Sequence, residues 1–242
     1  RTIRTNAFAN SDNLAQISLP AGLKVLESDA FIGTALYSDE ENWKNDILYI
    51  DGCVITAKTE LSDTVQFEDG TKLIADNAFN GCVGITSVIL PEGITSIGNN
   101  AFSGCSGLTD ITMAVTINSI GDSAFSGCSS LKEVYYSGTA KQWFEISIGV
   151  QNQPLTSAAF LTGPGGEAIV VTGGYMGDIK WFFDEENNVL TLSGKGKTDE
   201  FIFGERPWEI YADLIQTVVV GSGITNVGKN AFRNLPKLSK YI

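Results

Sequence analysis

Ile85-Thr-Ser-Val-Ile-Leu-Pro-Glu-Gly-Ile-Thr-Ser-Ile-Gly-Asn-Asn-Ala-Phe-Ser-Gly-Cys105 is followed, from Leu108 to Cys128, by a second stretch with apolar residues, Gly and Ala-Phe-x-Gly-Cys in the same places. Counted from Phe102, the apolar positions are Leu108, Ile111, Met113, Ile117 and Ile120, and then Ala124-Phe125 restarts the pattern. The same offsets from Phe79 give Ile85, Val88, Leu90, Ile94 and Ile97, from Phe125 Leu131, Val134 and Tyr136, and from Phe8 Leu14, Ile17, Leu19, Leu23 and Leu26. An aliphatic residue four positions before Ala-Phe occurs at Ile3, Leu26, Ile74, Ile97, Ile120 and Val227. Phe8 to Phe31, Phe79 to Phe102 and Phe102 to Phe125 are each 23 residues apart. A fixed period of this size means units that cannot bury their apolar side alone and must stack.

Within one unit, Ile111 and Met113 alternate inward, as a strand requires. A turn follows, as at Pro20-Ala21-Gly22 and Pro91-Glu92-Gly93, and then a second short strand ending at the aliphatic residue. The Asn, Asp and Ser residues before Ala-Phe suit a cap or tight turn. The predicted unit is strand, turn, short strand and a one-turn helical or 3-10 segment. Each unit buries about six apolar side chains worth roughly 1.5–3 kcal/mol apiece, and the entropy of ordering the unit is comparable. One unit should not fold alone, and an array should. The expected fold is a leucine-rich-repeat solenoid with parallel β ladders, short helical or 3-10 turns and inserted β-hairpins.

The pattern resembles the BspA-like leucine-rich repeats of bacterial surface proteins. The resemblance rests on the two stretches Ile85–Cys105 and Leu108–Cys128 and covers residues 1–34, 61–137 and 215–242. Met113-Ala114 stands where the pattern has Leu-Pro, and Leu235 where it has Cys. The family implies a secreted or cell-surface bacterial protein that adheres to host matrix proteins or other cells.

The interruptions divide the chain. Between Phe31 and Phe79, about 25 extra residues near 35–60 contain Ile47-Leu48-Tyr49-Ile50-Asp51-Gly52-Cys53-Val54-Ile55, a hairpin on a two-residue Asp-Gly turn. The reading is a repeat array over 1–160, with this hairpin inserted and a cap near 138–160 in which Trp143 covers the last rung. A linker follows at 161–166, and 167–242 is an opening β unit followed by the start of a second array. In that unit Ile179–Asp184 and Asn188–Gly194 form a second hairpin. The chain opens and stops inside repeats, so it reads as a piece of a longer protein.

Twenty-eight acidic against 16 basic residues give a net charge of −12, which argues against nucleic acid and against an anionic membrane surface. No apolar run reaches bilayer-spanning length. With no histidine in the chain, the commonest general base and the commonest zinc ligand are missing. Cys82, Cys105 and Cys128 share one offset; a metal site or disulfides is one reading, but a line of one Cys per rung suits buried free thiols better. Cys53 lies in the inserted hairpin with its pairing open. Asp110 and Glu133 sit on neighbouring rungs at the spacing of a retaining glycosidase pair, yet on a face that should be wet. Gly196-Lys197-Thr198 lacks the remainder of a phosphate loop, and a Ser-Lys pair stays formally open. Asp39-Glu40-Glu41 and Asp184-Glu185-Glu186 lack the alternating ligand spacing of a calcium loop.

These readings assign no catalytic, cofactor-binding or metal residue. The candidate site is the outward face of the first sheet: Gln16, Ser18, Ser87, Ile89, Asp110, Thr112, Glu133 and Tyr135, with Ile89 and Tyr135 as exposed apolar points. The expected function is non-catalytic binding of a protein partner through that face. The alternatives are a rigid spacer that displays another domain and, in third place, a carbohydrate-acting or carbohydrate-binding module using Asp110 and Glu133, or Trp143 or Trp208.

Overall fold

A computed structural model describes residues 1–20, 22–163, 166, 168, 172–202 and 204–242. The Pro20-Ala21-Gly22 turn, the 161–166 connection and the start of 167–242 therefore fall partly outside the described residues. The chain forms two compact units, one of residues 1–138 and 146–168, the other of residues 139–145 and 169–242.

The first unit is a β-solenoid with two parallel ladders. The long-strand ladder stacks Ser62–Gln66, Gly84–Ile89, Asp110–Met113, Glu133–Tyr136 and Ala159–Leu161. Its register is the sequence period: Ile111 lies between Val88 and Val134, and Asp110 between Ser87 and Glu133. The short-strand ladder stacks Cys53–Ala57, Leu73–Ile74, Ser96–Ile97, Ser119–Ile120 and Ser147–Ile148. Thus the ladders run one rung beyond the point where the period fails, because 147–148 and 159–161 pair correctly without repeating the motif.

Between the ladders runs a stack of rings. Phe79 and Phe102 lie 4.9 Å apart at 5°, and Phe102 and Phe125 5.4 Å apart at 14°. All three are fully buried, among Val88, Ile111, Val134 and the aliphatic residues of the short strands. Offset stacking at these separations adds to the area term.

The Ala-Phe corner closes by turns and does not become a helix. Bonds run from Ser103 N to Asn100 O and from Cys105 N to Phe102 O, but the backbone turns left-handed two residues before the Phe, at Asn77, Asn100 and Ser123, and two after it, at Gly81, Gly104 and Gly127. A helical run cannot pass through such residues. Consecutive corners bond in one direction: the amide of Phe79 donates to Ala101 O at 2.7 Å, and that of Phe102 to Ala124 O at 2.8 Å. Rungs come so close that a Cβ on Gly121 would lie 2.5 Å from the amide nitrogen of Asn99.

The insertion forms as expected and adds one strand. Asp51 and Gly52 both have positive φ, the requirement of the tight hairpin turn, and join Ile47–Ile50 to Cys53–Ala57. Trp43–Lys44 adds a further antiparallel strand through Asn45-Asp46, also both left-handed. This meander ends the short-strand ladder.

In the second unit, Ile179–Asp184 and Val189–Gly194 form the expected hairpin. Gly173–Met176 adds an antiparallel strand on one side, and Thr217–Val220 and Lys240–Tyr241 continue in parallel on the other. Strict alternation sends Ile179, Trp181 and Phe183 inward. Trp181 and Phe183 pack with Leu190, Leu192, Trp208, Ile215 and Val218.

Candidate functional site: the outer face of the long-strand ladder

The repeat register sets Ser87, Asp110 and Glu133 in one row across three rungs, and Ile89, Thr112 and Tyr135 in the next. Inward Val88, Ile111 and Val134 fix the strands from behind, so these six side chains share one face.

The hydroxyl of Ser87 donates to Asp110 Oδ1 at 2.6 Å, and that of Thr109 to Oδ2 at 2.8 Å. The Tyr135 hydroxyl donates to Glu133 Oε2. That bond holds the phenol protonated, with its pKa pushed up to about 12. Ile89 is 37% exposed. The face therefore carries one apolar point beside two carboxylates whose oxygens are held by hydroxyl donors.

Three candidate residues are not where the sequence suggested. Tyr135 is 8% exposed, because Ala159–Leu161 pairs alongside it and sets Leu161 next to it in register. Gln16 and Ser18 are exposed but belong to no strand. The offsets that would give them a neighbouring strand fall on Glu40–Asn42, which forms a 3-10 turn capped by Asp39 through the amide of Glu41 at 3.0 Å. This also gives Asp39 a structural task. In the other acidic cluster, Asp184 accepts from the amides of Glu186 and Asn187 and from Asn187 Nδ2.

All four cysteines are buried free thiols. The Cys105 thiol lies 3.2 Å from Phe79 O, and the Cys128 thiol 3.1 Å from Phe102 O. Burial raises the Cys53 and Cys82 pKa values to about 11 and that of Cys128 to about 12, and it raises Cys105 as well. Among the described residues, no group of three His, Cys, Asp or Glu side chains is placed to hold a metal ion.

Trp143 and Trp208 are 3% and 0% exposed, so neither indole face is open to stack on a sugar. Trp208 has a different task, which the sequence did not reveal. Its indole N–H donates to Ala231 O at 3.1 Å, while Arg206 Nη1 donates to Arg233 O at 2.5 Å. In the first unit these two carbonyls correspond to Ala101 O and Ser103 O, which accept from a preceding rung's Phe79 and Gly81. Trp208 and Arg206 thus stand in for an absent rung. Asn152 does the converse for the first unit. Its Oδ1 accepts from the Phe125 amide at 3.0 Å, and its Nδ2 donates to Gly121 O and Gly149 O at 2.9 Å.

The sequence pattern described as the BspA-type leucine-rich repeat region matches residues 1–63 and 54–147, in six copies. The chain belongs to the BspA-type leucine-rich repeat family. Among curated proteins, none matches it. Of solved structures, a leucine-rich repeat protein of T. pallidum is 18% identical, with 78% of this chain and 62% of that one covered and a TM-score of 0.31. The chain thus spans less than two thirds of that protein's length. A leucine-rich cell surface protein of Faecalibacterium prausnitzii is 15% identical, with 84% and 73% covered and a TM-score of 0.31. Leucine-rich repeat proteins are in general non-catalytic scaffolds, and leucine-rich repeat domains in general mediate protein–protein interaction. Among the described residues, no helix is long and apolar enough to cross a membrane.

Proposed function

We propose that this BspA-type chain is a non-catalytic, surface-exposed binding protein that holds a protein partner on the outer face of its long-strand ladder. The supporting observation is the in-register patch of Ser87, Ile89, Asp110, Thr112 and Glu133, in which Ile89 is an exposed apolar point on an otherwise polar, rigid surface. Solenoid sheets offer such extended surfaces, and apolar anchors inside a polar surround dominate interface energetics. The matching carboxylates favour a partner with basic groups. Tyr135 contributes by fixing Glu133 and is not itself an anchor.

The host-matrix or cell-cell setting follows from the family alone and forms part of the proposal. It is tested by surface plasmon resonance of the chain against immobilised matrix proteins. Ile89→Glu and Asp110→Ala should each weaken binding about tenfold or more, with the melting temperature unchanged. Absence of binding, or binding indifferent to both substitutions, would leave the chain as the rigid spacer that its stacked, hydrogen-bonded rungs could equally serve.

A further inference from the structure

A groove of about 350 Å³ lies in the second unit, between the helix Ala140–Glu145 and the outward face of the hairpin Ile179–Gly194. Its size is that of a small-molecule site. The floor is formed by alternation: with Trp181 and Phe183 committed to the core, Lys180, Phe182 and Asp184 must point outward. Register then sets Ser193, Thr191 and Val189 directly across from them.

The Phe182 ring is half-buried and stacks on Phe144 of the helix, centroids 5.2 Å apart at 28°. Lys180 Nζ donates to Phe144 O at 2.5 Å, and Lys141 pairs with Asp184 at 3.5 Å. These contacts tie the helix wall to the floor. Asp184 also fixes the Asn187 amide through a 2.9 Å bond, which orients a planar hydrogen-bonding group at the rim. Two cations, Lys141 and Lys180, are matched by two carboxylates, Glu145 and Asp184.

We propose that this groove binds a neutral mono- or disaccharide. A charge-balanced site has no net preference for an ionic ligand. A pyranose ring has one apolar C–H face and an edge of hydroxyls that both donate and accept. The Phe182 and Val189 surface meets the first need. The second is met by the amide of Asn187, the hydroxyls of Thr191 and Ser193, and the charged groups at the two ends, which supply donors and acceptors alternately. A purely aliphatic ligand would leave these polar groups desolvated and unpaired.

The test is isothermal titration of the full chain with cellobiose, maltose, lactose and N,N′-diacetylchitobiose at millimolar concentrations. At least one should bind. Phe182→Ala removes the platform and should weaken that sugar about tenfold or more. Thr191→Arg fills the groove from a solvent-facing position and should abolish binding with the melting temperature unchanged. Ile89→Glu, on the other unit's face, should leave sugar binding intact, which separates this site from the protein-binding face. No heat with any of the four sugars overturns the proposal. So does binding that survives both groove substitutions, or binding of 1-hexanol in place of every sugar.

Discussion

The repeat is held by residues whose identities answer to backbone geometry as much as to burial. Gly104 sits at φ +75, where an L side chain is strained. Asn10 and Asn234 occupy the equivalent corner position and are also left-handed. Gly104→Ala should therefore cost about 1–2 kcal/mol and Gly104→Asn less, read as urea midpoints. The thiols make a second residue-scale prediction. Burial raises their pKa values, to about 11 for Cys82 and about 12 for Cys128, against an unfolded value near 8.5. Below that value both states hold the protons and stability is complete. Above it the unfolded chain releases them first, so stability falls as pH rises from about 9 towards 12. Thermal melts should show this decline, and Cys105→Val with Cys128→Val should flatten it. Native protein should react with Ellman's reagent only on unfolding. The offsets alone indicated that these cysteines were inert fillers. That the Cys105 and Cys128 thiols face the carbonyl of the preceding rung's Phe, and the Cys82 thiol that of Lys58, was not legible, since a linear pattern carries no direction for a side chain.

At the scale of elements, strands and hairpins followed from period and turn chemistry, whereas the ends of ladders did not. Asp51-Gly52 announced its turn because both positions require positive φ. Asn45-Asp46 has the same geometry, but the strand it joins to Ile47–Ile50 is only Trp43–Lys44, too short to show alternation. The Gln16–Leu19 segment has the apolar spacing of a strand yet forms none, because the rung beside it was replaced by the 3-10 turn and meander. A strand needs a neighbour, and pattern within one unit does not supply it. The same reason hid Tyr135, covered by a strand outside the period. Asn152 is the polar counterpart: buried, and identifiable only from the amide it serves. Asn152→Leu should strand the Phe125 N–H and cost about 1–3 kcal/mol, with faster hydrogen exchange at the Phe125 amide as the specific sign. Trp208→Phe keeps most of the ring volume but removes the donor to Ala231, and a loss of similar size is expected in the second unit.

For the whole molecule, the sequence carried the architecture because each rung repeats one solution, and it carried the make-up of the candidate face only in part because exposure depends on what covers a strand. Ser87, Ile89, Asp110, Thr112 and Glu133 keep the strand positions their offsets gave, whereas Gln16 and Ser18 lie in no strand and Tyr135 is covered. Stacking also makes length adjustable. Deleting residues 84–106, one period of 23, joins rungs of identical register. The product should fold, with a urea m-value lowered in proportion to the surface removed; a deletion of half a period should not fold. The uniform sense of the corner bonds makes the column polar. Each corner amide points towards higher residue numbers, so the trailing end is a row of donors and the leading end a row of acceptors. Closure of the first unit's trailing end by Asn152, and of the second unit's leading end by an indole and a guanidinium, obeys that rule, and the two kinds of closure cannot be exchanged. Bare ends of two such columns could dock only nose to tail, since like ends would set donor against donor.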